Sequence, residues 1–148
     1  MKQMKEMNTI SKKRIVSIWL IIMLIAASFV IMTGCGATTL EDYCKKHPDE
    51  LSEMQEYVDT INSSINYGKM SVDIKNNQII YTVKMNKTYT SEQVSAMKSS
   101  LETTLKSSAS QFEDIIDGVE KDTDIKDITM SIQCQNGDGT EIFSQDYE

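Results

Sequence analysis

The sequence predicts an α+β domain, a two-layer sandwich in which helices cover one face of a four-stranded antiparallel sheet made from two hairpins. Two observations predict this fold. Apolar and polar residues alternate along 70–85 and again along 128–147, as they do in strands with one buried face. Before each of these segments, apolar residues recur every three or four positions, as in amphipathic helices. The simplest packing sets the hairpins edge to edge, in the order α-β-β-α-β-β.

The start of the chain has the pattern of an export signal. Five basic residues and one acidic residue precede an uncharged run from Ile15 to Met32, and a basic flank before such a run is typical of secretory signals. Gly34 and Cys35 follow, and the sequence there resembles the lipobox of bacterial lipoproteins, in which the signal is cut before a cysteine that carries a diacylglycerol. We therefore expect a signal peptide over 1–34.

The rest of the chain divides into a tether and one domain. We expect lipidated Cys35 and a short tether over 35–39, followed by a single domain over 40–148. An uncleaved transmembrane anchor is the alternative, because the eighteen uncharged residues are just long enough to cross about 30 Å of hydrocarbon. The basic flank stays in the cytoplasm under either interpretation. We therefore expect the domain outside the cytoplasm, anchored to the outer face of the cell membrane.

The charge of the exported part excludes some partners. After residue 34 the chain has 10 basic and 21 acidic residues. Nucleic-acid binding requires a basic face that neutralises phosphates, so we expect no nucleic-acid partner. An anionic membrane surface also repels such a domain, so the lipid on Cys35 must provide the attachment.

Capping residues indicate where the helices begin. Thr39 is a candidate N-cap for a short helix from Leu40, and Pro48 suits the first position of the next helix. Thr90 and Gln93 form a capping box before a helix of about thirty residues. Because that helix is much longer than a strand, we expect it to bend or break at 107–110, where small residues interrupt the apolar stripe.

Turn residues indicate the hairpins. Asn76 and Asn77 lie between the two alternating stretches of 70–85, and asparagine tolerates the positive φ angles of a tight turn. The run Asn136–Gly139 separates the strands of 128–147 and contains both Asn-Gly and Asp-Gly, which are strong hairpin signals. The exported part is thus a loose internal repeat of helix and hairpin.

The order of these elements resembles an uncharacterised family of small lipoproteins from Gram-positive bacteria. The shared features are a lipobox cysteine, a Leu-Glu-acid-Tyr start, a Pro-acid-Glu-Leu helix, a Met-x-Val hairpin, a long Ser-rich helix and an Asn-Gly-Asp-Gly-Thr turn. Here they are Cys35, Leu40–Tyr43, Pro48–Leu51, Met70–Met85, Ser91–Lys121 and Asn136–Thr140. The resemblance implies location and fold, but no activity, cofactor or site residue.

Cys44 and Cys134 are candidates for a disulfide. Disulfides persist outside the cytoplasm and often stabilise small exported domains. Both residues share the apolar pattern of their segments, so both are expected to face the core. The alternative is two unrelated buried thiols, because a disulfide requires Cα atoms within about 7 Å.

The residues do not indicate catalysis. His47 is the single histidine of the chain, and its place before Pro48 is typical of a cap or loop residue. One loop histidine does not constitute a catalytic triad or a histidine-based zinc site. The acidic runs near Asp122 and Asn136 lack the glutamate that calcium loops have at position twelve. We expect no enzyme activity, no cofactor and no metal.

The leading hypothesis is a protein-binding module of the cell envelope. Its sheet would leave one face or edge free for a partner, and the contact residues we favour are Tyr67, Tyr89, Thr82 and Lys84. The competing hypothesis is a receptor for a small cationic ligand or cell-wall fragment, with a pocket between the long helix and the sheet. A hydrolase with unusual residues is a third hypothesis.

Overall fold

The computed structural model describes residues 36–148 of the chain. The predicted signal peptide over 1–34 and the predicted lipidation site at Cys35 lie outside the described residues. No helix within 36–148 is long and apolar enough to span a membrane.

Within residues 36–148, four helices and four strands follow one another in the order α-α-β-β-α-α-β-β. The first half contains α1 (Leu40–Lys46), α2 (Pro48–Ser64), β1 (Gly68–Lys75) and β2 (Gln78–Met85). The second half contains α3 (Ser91–Ser107), α4 (Ala109–Thr123), β3 (Thr129–Gln135) and β4 (Glu141–Tyr147). The predicted order α-β-β-α-β-β is therefore wrong, because two separate helices precede each hairpin.

The sheet is mixed, and the prediction of a wholly antiparallel sheet is wrong. The strand order is β1-β2-β3-β4, with antiparallel hairpins at both sides and a parallel β2–β3 pair in the centre. Gln78 at the start of β2 pairs with Thr129 at the start of β3. The crossover through α3 and α4 returns the chain to the end of the sheet from which β2 began. A parallel centre follows directly from that return.

The helices cover one face of the sheet, as predicted. Along β1 and β2 every second side chain is buried, and the intervening side chains are exposed or half-buried. The largest fully buried side chains come from the sheet and from the helices. They include Tyr81 and Ile79 of β2, Leu40 of α1, Leu105 of α3 and Phe112 of α4. The core is thus a single apolar layer between the sheet and the helices.

The long helical segment breaks at Ser108, within the predicted range. The Ser108 N–H donates to the Leu105 carbonyl, and the Ser108 carbonyl accepts from Gln111 at 3.0 Å. An unbroken helix over the same residues would measure about 50 Å, whereas an eight-residue strand measures about 27 Å. The break allows both halves to stay over the sheet, where they bury Leu101 and Phe112.

The first described residues are held against the β1–β2 turn. The Lys46 ammonium donates to the Gly36 carbonyl at 2.9 Å. Leu40 N–H donates to the Asn77 side chain at 3.0 Å, and the Glu41 N–H donates to the Asn76 carbonyl at 2.8 Å. The chain therefore enters the domain at the end of the sheet that carries this turn.

Candidate functional site

The face of the sheet that points away from the helices is polar and open. One row crosses all four strands in register, from Ser71 to Thr82, Gln133 and Ser144. The two outer members of this row are exposed and the two inner members are half-buried by their neighbours. We call this surface the outer face. It carries hydroxyl and amide groups together with charged side chains, among them Lys69, Asp73 and Asp146, and Lys84 lies at one end.

The four predicted contact residues fall into two pairs. Thr82 and Lys84 lie on the outer face of β2, as predicted. Tyr67 and Tyr89 are half-buried and pack against the hydrophobic core, so they do not extend that face. All four lie towards the same end of the sheet, because Asn86 donates to the Tyr67 carbonyl and Tyr89 adjoins the β3–β4 turn through Asn136.

A buried asparagine holds this end of the sheet together. The Asn136 side chain is 3% exposed, accepts from the Tyr89 N–H at 2.8 Å and donates to the Tyr89 carbonyl at 3.0 Å. The adjacent Gly137 N–H donates to the Lys87 carbonyl, and a Cβ on Gly137 would lie 2.6 Å from the Lys87 carbonyl carbon. The Asn-Gly pair therefore positions the β2–α3 loop in addition to turning the hairpin.

The free edge of β1 is covered by side chains of α2. The Asn62 amide accepts from the Met70 N–H at 2.7 Å and donates to the Met70 carbonyl at 2.9 Å, as a neighbouring strand would. The Gln55 amide donates to the Val72 carbonyl at 3.2 Å. Asp73 accepts from the Ile74 N–H at 2.9 Å. Most outward backbone groups of this edge are therefore satisfied within the domain.

The sequence contains a signal for this arrangement that its apolar periodicity does not reveal. Gln55 and Asn62 lie seven positions apart, so they share one side of α2 beside its apolar stripe. Amides at that spacing next to a stripe are compatible with a sheet edge, but the pattern alone does not say which strand they reach.

A groove of about 650 Å³ lies between α1, α2 and the C-terminal part of β1. Pro48, Leu51 and Ile74 supply apolar surface, and acidic side chains lie around it. These are Glu41, Glu56, Asp59 and Asp73. Lys45 also lines the groove, and it pairs with Glu41 at 2.8 Å, which lowers the pKa of that carboxyl. The predicted pocket position, between the long helix and the sheet, differs from this one.

The two cysteines are free thiols in separate parts of the core. Cys44 lines the groove beside Ile74, whereas Cys134 pairs with Val83 near the other end of the sheet. Ile74 and Cys134 are separated by two strand spacings and four residues along the sheet, about 16 Å. The structure therefore does not bring Cys44 and Cys134 together, and the geometric condition for the hypothesised disulfide is not met.

His47 has a structural position. It ends α1 and precedes Pro48, and its ring lies 4.6 Å from the Tyr43 ring, centroid to centroid. In the acidic turn, Asp138 accepts from the Thr140 N–H and hydroxyl, and these bonds lower the pKa of the Asp138 carboxyl. Within residues 36–148 no three histidine, cysteine, aspartate or glutamate side chains are grouped to hold a metal ion.

A family model described as a domain of unknown function, DUF4854, matches residues 40–147. The chain belongs to this family. The match spans the predicted domain almost completely, in agreement with the expected resemblance to an uncharacterised family. No curated protein and no solved structure matches the chain.

Proposed function

We propose that this DUF4854 chain is a lipid-anchored protein of the Gram-positive cell envelope that binds another envelope protein and catalyses no reaction. The observation that carries the proposal is the outer face. Among residues 36–148, the helices bury the opposite face of the sheet and leave this one to solvent. A sheet of four strands with one uncovered polar face offers a rigid surface for a protein partner.

The position of the N-terminal segment indicates how the outer face would be oriented relative to the membrane. Gly36 follows the predicted lipidated Cys35 directly, and Leu40 and Glu41 a few residues later bind the Asn76–Asn77 turn. A lipid on Cys35 would direct that turn towards the membrane. Lys84 and the Asn136 turn would then point away from it, at about 27 Å along the strands. The end with the predicted contact residues is thus the end that a partner can reach.

The groove favours a second candidate function. Its volume lies in the range of small-ligand sites, and its acidic surroundings suit a cation with an apolar part. A polyamine such as spermine is a suitable probe. Spermine should raise the unfolding temperature of the protein if the groove binds cations, and the charge-reversed variant Glu56→Lys should lose that rise.

Cross-linking in intact cells tests the leading proposal. A photoreactive residue is placed at Thr82 or at Lys84 on the outer face, and at Ser95 or Glu102 on the exposed surface of α3 as matched controls. We expect one recurring envelope protein at the outer-face positions and none at the control positions. Equal labelling at both sets, or no adduct from the outer face of a correctly exported protein, contradicts the proposal.

The anchor has its own test. Cys35→Ala removes the thiol that would carry the lipid. We expect the wild-type protein to incorporate labelled fatty acid and to remain with the membrane fraction, and the variant to take up no label. A wild-type protein that takes up no label and keeps its N-terminal segment would instead support the transmembrane alternative.

A further inference from the structure

The two edges of the sheet differ in how their backbone groups are satisfied. On β1, amides of α2 cover the Met70 and Val72 backbone, and Glu41 accepts from the Asn76 N–H at 2.9 Å. On β4, the side-chain bond to a strand backbone group among described residues is a local one, from Gln145 to the Asp146 carbonyl at 2.9 Å. A partner strand would have to displace several bonds at β1 but almost none at β4.

The exposed positions of β4 agree with an open edge. Ser144, Gln145 and Asp146 are consecutive and all exposed, although alternate residues of a covered strand would be buried. Phe143 and Tyr147 on either side are buried under the helices, so the strand is well anchored in the sheet. β4 is therefore held in a fixed extended conformation with one side available for strand addition.

The acidic side chains of the β4 edge favour a partner strand with basic side chains. From Asn136 to the last residue the chain has four acidic residues and no basic one. A second copy of β4 would place acidic side chains beside acidic side chains, which is unfavourable across paired strands. A strand with lysine or arginine at alternate positions would instead pair with Glu141 and Asp146.

We infer that β4 accepts an extended, basic segment of the partner protein as a fifth strand of the sheet. This inference rests on the proposed function and names the partner's chemistry and mode of binding. The added strand continues the outer face beyond β4, so contacts at Thr82 and contacts at β4 belong to one surface.

Photoreactive residues at Ser144 and Asp146 test the inference, with Ser71 and Asp73 on the covered β1 edge as matched positions. We expect adducts from β4 that map by mass spectrometry to one partner segment with alternating basic residues. From β1, whose Ser71 shares the outer face with Thr82, we expect no adduct to that segment. The double substitution E141K/D146K should lower the yield of adducts from a photoreactive residue at Ser144 about tenfold. Each charge reversal replaces an attraction to a basic side chain of the partner by a repulsion.

The outcomes separate the inference from the proposed function. Adducts at Thr82 without adducts at β4 overturn the inference and leave the function standing, whereas no adducts at either surface overturn both. Adducts to a second copy of this chain, to a segment without basic residues, or to the same segment equally from both edges also overturn the inference.

A measurement on the purified full-length protein in detergent gives an independent result. A capped peptide of alternating lysine and valine is added, with a peptide of alternating glutamate and valine as control. We expect the lysine peptide alone to slow amide hydrogen exchange in β4, and no change in β1. Slowing by both peptides, or no slowing in β4, contradicts strand addition by a basic segment.

Discussion

Asn62 and Asn136 each use one amide to satisfy both backbone groups of a residue that has no strand partner on that side. Asn62 binds Met70 at the β1 edge, and Asn136 binds Tyr89 in the loop before α3. A buried N–H or carbonyl left without a partner costs about 1–3 kcal/mol. We therefore expect Asn62 and Asn136 to contribute more to the free energy of unfolding than other residues at a helix end or in a turn.

We predict that Asn136→Ala lowers the free energy of unfolding by about 2–3 kcal/mol and that Asn62→Ala lowers it by about 1–2 kcal/mol. The smaller effect at Asn62 follows because it is half-buried and water can replace its amide. Denaturant unfolding of residues 36–148 measures both. Asn66→Ala is the control, because Asn66 is exposed, and it should change stability by less than about 0.5 kcal/mol.

Tyr81 differs from these two asparagines, because its buried hydroxyl has no hydrogen-bond partner among the described residues. Its ring is fully buried and its hydroxyl has no hydrogen bond within the described residues. Tyr81→Phe removes that hydroxyl, and we predict a gain in unfolding free energy of about 1 kcal/mol. Tyr57→Phe, at a residue that is 43% exposed, should leave stability unchanged. A loss of stability in Tyr81→Phe would show that a buried water binds the hydroxyl.

The buried thiols predict a loss of stability at high pH. Burial raises the pKa of Cys44 to about 11 and that of Cys134 to about 12. A thiol in the unfolded chain ionises near pH 8.5, so above about that pH the unfolded state releases protons that the folded state retains. Stability is therefore complete below about pH 8.5 and falls as the pH rises towards the folded-state pKa values.

We predict that the variant C44A/C134A has a shallower decline in unfolding free energy between about pH 9 and 10 than the parent protein. At higher pH the tyrosines add to the decline, since burial also raises the pKa of Tyr147 to about 12. Denaturant titrations at each pH measure the difference. Identical pH profiles for the two proteins would contradict the assignment to the thiols.

At the scale of the elements, two helix starts differ in how they are capped. Thr90 and Gln93 form a complete capping box at the start of α3. Ser108 precedes α4, but its side chain makes no capping hydrogen bond. The break at Ser108 is imposed by the length of the sheet, whereas the start at Thr90 is specified by its own residues.

We predict that Thr90→Ala lowers the free energy of unfolding by about 1 kcal/mol and that Ser108→Ala changes it by less than about 0.5 kcal/mol. Denaturant unfolding of the two variants gives the comparison. An equal effect of the two substitutions would contradict the difference in capping.

At the scale of the whole molecule, the chain enters at one end of the sheet and carries its predicted contact residues towards the other. Lys75 lies beside the β1–β2 turn, and Lys87 lies in the loop at the opposite end. Both side chains are exposed, so a fluorophore attached at either position should leave the core intact. The buried Cys44 and Cys134 should not react with such a label.

We predict that a fluorophore on Lys75→Cys is quenched by a headgroup-linked quencher in liposomes more strongly than one on Lys87→Cys, when the protein is lipidated at Cys35. The physical reason is the separation of about 27 Å along the strands. Equal quenching at the two positions would mean that the domain lies on its side.

The features that depend on neighbouring residues could be predicted from the sequence. They are the caps at Thr39 and Thr90, the helix start at Pro48 and both hairpin turns. The break near Ser108 could be predicted from the mismatch in length between a helix of about thirty residues and a strand. The face of each strand that is buried also follows from alternation alone. The export signal and the lipidation of Cys35 stay predictions from adjacent residues, because they lie outside the described part of the chain.

The features that depend on residues far apart in sequence required the tertiary structure. The β2–β3 pair is parallel because α3 and α4 return the chain to the start of β2, and alternation is the same for parallel and antiparallel pairing. The same long-range packing places Asn62 on the edge of β1 and, among residues 36–148, leaves the edge of β4 open. It also separates Cys44 from Cys134, since strand order and direction, and not periodicity, determine which buried residues meet.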